Sequence, residues 1–183
     1  MDLDFEANMR AAMAEAERAR GKTGDNPWVG CVIVDGGGSI VARGHTQGPG
    51  EDHAEIVALE QFRAHGSPAA EATLYSTLEP CSFHGRTPAC AQVIVDSGIR
   101  RVVTGMRDPH PRVDGQGARI LELAGIDVIE GVCESDIRKQ LGAWVLDHHP
   151  HDPKRRAQAQ ALSLEAIADM YAVSIDRVRA LLG

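Results

Sequence analysis

A chain of 183 residues with 19 basic and 26 acidic side chains has a formal charge of −7, which argues against a general binder of nucleic acid or anionic membranes. Its hydrophobic content of 43% with only seven aromatics (three Phe, two Trp, two Tyr) fits one core built from Val, Ile, Leu and Ala, with about 30–40 residues left over as an appendage. No apolar run approaches the ~20 residues needed to cross a bilayer, and the acidic start (Asp2, Asp4, Glu6) is unlike a signal peptide, so a soluble, cytoplasmic protein without a membrane partner is expected.

Residues 4–20 read as an amphipathic helix with Phe5, Met9, Ala12, Met13 and Ala16 on one face. Val29–Val34 is a continuous apolar strand. The turn Asp35-Gly36-Gly37-Gly38 joins it to a strand at Ile40–Arg43, and nothing about these glycines suggests a phosphate loop. A helix over 53–64 and a strand at Thr73–Thr77 follow. The loop 79–87 leads to a helix that Thr87 is placed to cap and Pro88 to begin, which sets Cys90 in its first turn. Arg101–Gly105 is the next strand, 115–124 a helix closed by Gly125, Ile126–Ile129 a last strand, and 134–146 a further helix. Strands alternating with helices over about 130 residues predict an α/β fold, a three-layer α/β/α sandwich. In such sheets, sites gather where strands end and helices begin.

The character changes at His148. The stretch His148-His149-Pro150-His151-Asp152-Pro153 and the run Lys154-Arg155-Arg156 read as a linker over 148–161, closing a main domain of residues 1–147. The three histidines fit a solvated linker better than a second metal site. Helical periodicity returns in a tail over 162–183: Leu164, Ile167 and Ala168, then Val178, Leu181 and Leu182, with a break at Tyr171-Ala172-Val173 and Ser174 as a cap. Residues 1–147 hold 14 basic and 22 acidic side chains (−8), and 148–183 hold five and four (+1). A tail of this kind suits packing or homo-oligomerisation. No internal repeat is present.

The chemistry-bearing residues lie in three short strings: His53-Ala54-Glu55, Pro80-Cys81, and Cys90. A catalytic zinc takes three protein ligands of His and Cys type and keeps its fourth position for water. His53, Cys81 and Cys90 supply that set, and Glu55 stands beside it without being needed as a ligand. A carboxylate so placed can move a proton from water to a leaving amine. The competing reading is a closed structural zinc, with His84 as fourth ligand. One geometric condition applies: positions i and i+2 of a regular helix point in roughly opposite directions, so His53 and Glu55 converge only at an irregular first turn. Cys31, in an apolar run, and Cys133, before a helix, suggest no partner, and a disulfide is the less expected use of any cysteine here. Asn26-Pro27 reads as a turn on its own residues.

H-x-E followed by P-C and a second Cys is the mark of zinc nucleobase deaminases, here with eight residues between the cysteines instead of two. The chain resembles the deaminase domain of the bifunctional riboflavin-biosynthesis pyrimidine deaminase/reductase, within the cytidine-deaminase-like superfamily. The resemblance runs over about residues 4–140. It rests on Asn26-Pro27-Trp28-Val29-Gly30, Gly44-His45, His53-Ala54-Glu55, Ala72-Thr73-Leu74-Tyr75 and Thr77-Leu78-Glu79-Pro80-Cys81-Ser82. Gly85-Arg86-Thr87-Pro88 through Cys90, then Asp108-Pro109, Pro111, Gly115 and Gly117, complete it. Three positions depart from the family pattern: Phe83 replaces His, Ala89 replaces Pro and His110 replaces Asn.

The resemblance implies a mixed five-stranded sheet, one zinc ion held by His53, Cys81 and Cys90, and Glu55 as proton shuttle. It further implies base contacts from Asn26 and His45, and substrate contacts from Arg86, Thr87, Asp108 and His110. The implied reaction is hydrolytic deamination of 2,5-diamino-6-ribosylamino-4(3H)-pyrimidinone 5′-phosphate, by a stand-alone deaminase that needs no NADPH. One alternative is a related deaminase of specialised metabolism acting on another pyrimidine or purine, consistent with Phe83 and His110. Another is a regulator: residues 162–182 resemble a sigma-factor-like helix-turn-helix, which would make nucleic acid a partner, although the weak basic character of the tail favours packing.

Overall fold

In the computed structural model, which describes residues 4–83 and 89–182, the chain opens with α1 (Phe5–Glu17), capped where Asp4 Oδ1 accepts the Ala7 N–H at 2.9 Å. Its buried face is Met9, Ala12, Glu15 and Ala16. The apolar run at 30–34 forms β1 (Gly30–Val34), buried at every position. Asp35 Oδ1 accepts the N–H groups of Gly37 and Ser39 at 3.0 and 2.9 Å and so shapes the turn into β2 (Ile40–His45), which runs two residues beyond Arg43. Then come α2 (Ala54–His65), β3 (Thr73–Leu78), α3 (Cys90–Ser97), β4 (Arg101–Met106), α4 (Gln116–Leu123) and β5 (Asp127–Ile129).

The strands form one sheet in the order β2-β1-β3-β4-β5. Neighbours β2, β1 and β3 are antiparallel, and β3, β4 and β5 are parallel, so the sheet is mixed as the resemblance implies. Gly30 of β1 lies against Ala12 and Ala16 of α1, whereas Gly44, opposite Cys31, lies against Ala54 and Ala58 of α2. The two helices therefore cover opposite faces, and α2, α3 and α4 form the layer facing away from α1. Burial on both faces explains why β1 reads as an unbroken apolar run.

The contacts divide the chain into two units, residues 1–133 and 134–183. The second holds α5 (Glu134–His148), α6 (His151–Gln160), α7 (Leu164–Met170) and α8 (Ile175–Leu182). Two expectations are corrected here. The helix beginning at Glu134 groups with the C-terminal helices rather than with a domain ending at 147, and the segment 148–161 is not a linker, because α6 occupies it. Pro153 falls in the first turn of α6, where its missing N–H has no helical acceptor to lose. The polar Asp152 is 2% exposed: its Oδ2 accepts the Tyr171 hydroxyl at 2.6 Å and Arg138 Nη1 at 3.3 Å, and Arg156 Nε donates to Oδ1 at 3.2 Å. The histidines ring Trp144, with His148 stacked at 5.8 Å and His149 edge-on at 4.8 Å. The break at 171–173 and the cap are as read: α7 ends at Met170, and Ser174 Oγ accepts the Arg177 N–H at 3.3 Å. No helix of the described residues is long and apolar enough to cross a membrane.

Candidate metal centre

His53 is the N-cap of α2, with extended backbone (φ −75°, ψ 161°), and Glu55 is the second residue of the helix. The condition on i and i+2 is met this way: His53 lies just outside the helix, so the helical rule does not separate the two side chains. Glycine is needed at Gly44 for this placement. A Cβ there would overlap the Ala54 carbonyl oxygen and stand 2.7 Å from the Ala58 nitrogen, so any side chain would push the first turn of α2 off β2.

Cys81 lies just beyond β3 and Cys90 is the first residue of α3. The Cys90 N–H donates to Cys81 Sγ at 3.2 Å, and the Ala91 N–H to the Cys81 carbonyl at 3.2 Å. The opening of α3 thus turns free N–H groups toward a sulfur, a place where the helix dipole favours thiolate. The N-cap is Ala89, which has no capping side chain, and Cys90 stands in the first turn as read; the expected cap and first residue, Thr87 and Pro88, fall outside the described residues. So do Arg86 and His84.

His53 Nδ1 stands 3.8 Å from Cys81 Sγ and 3.3 Å from Cys90 Sγ, and the three donor atoms lie within 4.8 Å of one another. Zinc bonds of ~2.0–2.3 Å in a tetrahedron place neighbouring donors roughly 3.5–3.8 Å apart, so the set fits that ion, and among the described residues no fourth His, Cys, Asp or Glu joins the group. Without metal, the Cys90 thiol and His53 hold Cys81 down to about 4, against its burial. Cys81 in turn raises His53 to about 9. The Cys81 sulfur and burial push Cys90 up.

Glu55 is 4% exposed, and Ser76 Oγ donates to its Oε1 at 3.3 Å. Burial pushes its carboxyl up, with the His53 charge pulling against the rise. A carboxylate raised in this way is a stronger base than an exposed one. Above the donors opens a cavity of about 480 Å³, lined in part by Asn26, Glu51, His53, Cys81 and Phe83. Asn26 enters it from a turn closed by the Thr23 hydroxyl, which donates to the Asn26 carbonyl at 2.7 Å.

Asp108 and His110 sit on the loop after β4. Asp108 Oδ1 accepts the His110 N–H at 2.8 Å, and burial pushes its carboxyl up to about 7. The His110 ring packs at 5.7 Å on Phe83, so two of the three departures from the family pattern touch each other. His45 is not brought to the cavity lining. It pairs with Gly30 on the face that α1 covers, and its Nδ1 stands 3.6 Å from Glu15 Oε2.

Sequence reading missed Glu79 as a site residue. It is 2% exposed and accepts main-chain N–H groups from Asp108, Gly115, Gly117 and Ala118. The available signal was a lone carboxylate closing a fully buried strand, with two glycines downstream.

Residues 4–106 match the family described as cytidine and deoxycytidylate deaminase zinc-binding region. The chain is 49% identical over 134 residues to the riboflavin biosynthesis protein RibD of Escherichia coli, covering 73% of this chain and 35% of that protein. It is 42% identical over 144 residues to the chloroplastic riboflavin biosynthesis protein PYRD of Zea mays, covering 79% and 36%. It thus spans about a third of the length of these relatives. Among solved structures, RibD of Acinetobacter baumannii superposes with a TM-score of 0.73 at 39% identity, over 80% of this chain and 40% of that one. The Thermotoga maritima diaminohydroxyphosphoribosylaminopyrimidine deaminase/5-amino-6-(5-phosphoribosylamino)uracil reductase gives 0.72 at 40% identity, over 78% and 40%. With a zinc-compatible His/Cys/Cys set standing inside the matched segment and its buried Glu beside it, the chain belongs to the cytidine and deoxycytidylate deaminase family of zinc-binding proteins.

Proposed function

We propose that the chain deaminates 2,5-diamino-6-ribosylamino-4(3H)-pyrimidinone 5′-phosphate to 5-amino-6-(5-phosphoribosylamino)uracil, releasing ammonia, as a step of riboflavin biosynthesis. One observation carries the reading: a three-donor group, with no fourth donor among the described residues, adjoins a buried carboxylate under a substrate-sized cavity, in a chain 49% identical to RibD over this segment. His53, Cys81 and Cys90 would hold zinc, which supplies the charge that makes water ionisable near neutral pH. Glu55 takes one proton from the attacking water and passes it to the ring nitrogen. It then takes the second proton from the added oxygen, as the carbonyl forms, and gives it to the amine, which departs as ammonia when its C–N bond breaks. The desolvation of Glu55 suits the first half of that task, because a carboxylate held above the ordinary range is a stronger base and takes the water's proton more readily. Asn26 orients the base edge from the cavity wall. Asp108 and His110 contact the substrate from the loop after β4, and Arg86 with Thr87 is assigned to the phosphate.

The contact between Phe83 and His110, with the Arg112 guanidinium 6.0 Å from the Phe83 ring centre, favours a second reading in which the pyrimidine or purine differs. Ammonia release from the phosphorylated diaminopyrimidine, its dephosphorylated form, cytidine and guanine separates the two. The first reading expects turnover of the phosphorylated compound at least about tenfold faster than any other. Preferred turnover of cytidine or guanine would establish the second.

A further inference from the structure

Glu79 follows directly on β3, two residues before Cys81, and its own N–H donates to the Met106 carbonyl at 2.9 Å. Its Oε1 accepts the N–H groups of Gly117 and Ala118 at 2.8 and 3.3 Å, and its Oε2 those of Gly115 and Asp108 at 2.9 and 3.3 Å. Gly115 is the N-cap of α4 and has no side chain to cap with, so a carboxylate from another strand answers the orphan N–H groups of that helix. Close approach is built in: a Cβ on Gly117 would overlap the Pro80 carbonyl.

Capping explains three of the four bonds. The fourth does not belong to the helix, because Asp108 lies eight residues before its first turn. That bond joins the segment carrying Cys81 to the segment carrying Asp108 and His110, and it does so through one buried charge. The same start of the loop is also held by the bidentate pair of Arg107 with Glu130 at 2.9 and 3.0 Å, which leaves the Asp108 N–H to Glu79.

We propose that Glu79 is a positioning residue of the deaminase site, setting Asp108 at a fixed distance from the metal-ligand segment and thereby setting substrate affinity. The inference rests on the reading of Asp108 as a substrate contact. A binding group displaced by about an ångström weakens the substrate before and during reaction alike, so KM rises while kcat holds. Glutamine at 79 keeps the volume, but its amide nitrogen cannot accept, which leaves two of the four N–H groups without a partner.

The test is steady-state deamination of the phosphorylated diaminopyrimidine by wild type, Glu79→Gln, Asp108→Ala and the double variant, each carrying one zinc per chain. Glu79→Gln should raise KM about tenfold with kcat within about threefold. In the Asp108→Ala background it should add less than about twofold, since the side chain it positions is gone. A folded, zinc-loaded Glu79→Gln protein with wild-type KM overturns the inference, as does an effect that multiplies in full on Asp108→Ala. Wild-type KM in Asp108→Ala removes the substrate contact and, with it, the route assigned to Glu79. Absence of ammonia release by the wild type would instead refute the proposed reaction. Amide exchange on the wild-type protein gives an answer even if Glu79→Gln does not fold: the Asp108 N–H should exchange as slowly as that of Gly117, and fast exchange at Asp108 contradicts the clamp.

Discussion

At the scale of single residues, the ligand set stores protons that a metal must displace. With His53 raised to about 9 and Cys90 pushed up, both carry a proton at pH 7, while Cys81 at about 4 does not. Metal ligation requires neutral imidazole and thiolate. Zinc uptake at pH 7 should therefore release about two protons per ion from these side chains, and apparent affinity should fall as the pH is lowered. Calorimetry of the metal-free protein in buffers of different ionisation enthalpy reads the number directly. Release of none would show that the three donors are not the site. These residues were legible in the sequence because chemistry restricts which side chains bind zinc. Glu79 was not, because nothing in a linear string shows that one carboxylate answers four distant N–H groups.

Among the elements, the close contact of β2 with α2 is the most sensitive joint near the site. Gly44→Ala should cost about 3 kcal/mol in thermal or denaturant unfolding, since the new methyl meets main-chain atoms that cannot rotate away. It should also weaken zinc binding, because the displaced turn carries His53 and Glu55. Unchanged stability and zinc affinity would show that α2 has slack at this point. β1 was readable because burial on both faces leaves an unbroken apolar run, and α2 was read to within one residue of its start at Ala54. Two details were not readable. His45 was expected at the base, but strand parity turns it toward Glu15 on the opposite face. The prolines and charges of 148–156 suggest a linker only while the partners of Asp152 are unknown, and those partners, Arg138 and Tyr171, lie 14 and 19 residues away.

For the molecule as a whole, the second unit is held by that buried network. Burial alone would raise the Asp152 carboxyl, but the Tyr171 hydroxyl, Arg156 and Arg138 outweigh it and keep the carboxyl below its ordinary value. A depressed carboxyl contributes stability that is complete above its unfolded value near 3.9 and is lost as the pH falls through the folded one. The titration of Asp152 should thus leave thermal stability unchanged over pH 5–7 and lower it in acid below about pH 4. Asp152→Asn should lower stability by about 1–3 kcal/mol at neutral pH, because the Tyr171 hydroxyl, Arg138 and Arg156 lose a charged acceptor while Arg138 keeps Glu134, and it should flatten the acid limb. An unchanged acid limb would assign that sensitivity to other carboxylates. The unit 134–183 holds seven basic and seven acidic residues, a balance that gives it no net attraction for a phosphate backbone.

The central claim is that Glu55 carries the proton for a deamination assembled on His53, Cys81 and Cys90. Its most direct test is Glu55→Gln, compared with wild type for zinc content and for ammonia release from the phosphorylated diaminopyrimidine. The side chain keeps its shape and its place beside Ser76 but can no longer accept a proton. The variant should hold about one zinc per chain and lose at least about 10³-fold in kcat. A zinc-loaded Glu55→Gln protein that still releases ammonia within about tenfold of the wild-type rate would contradict the account.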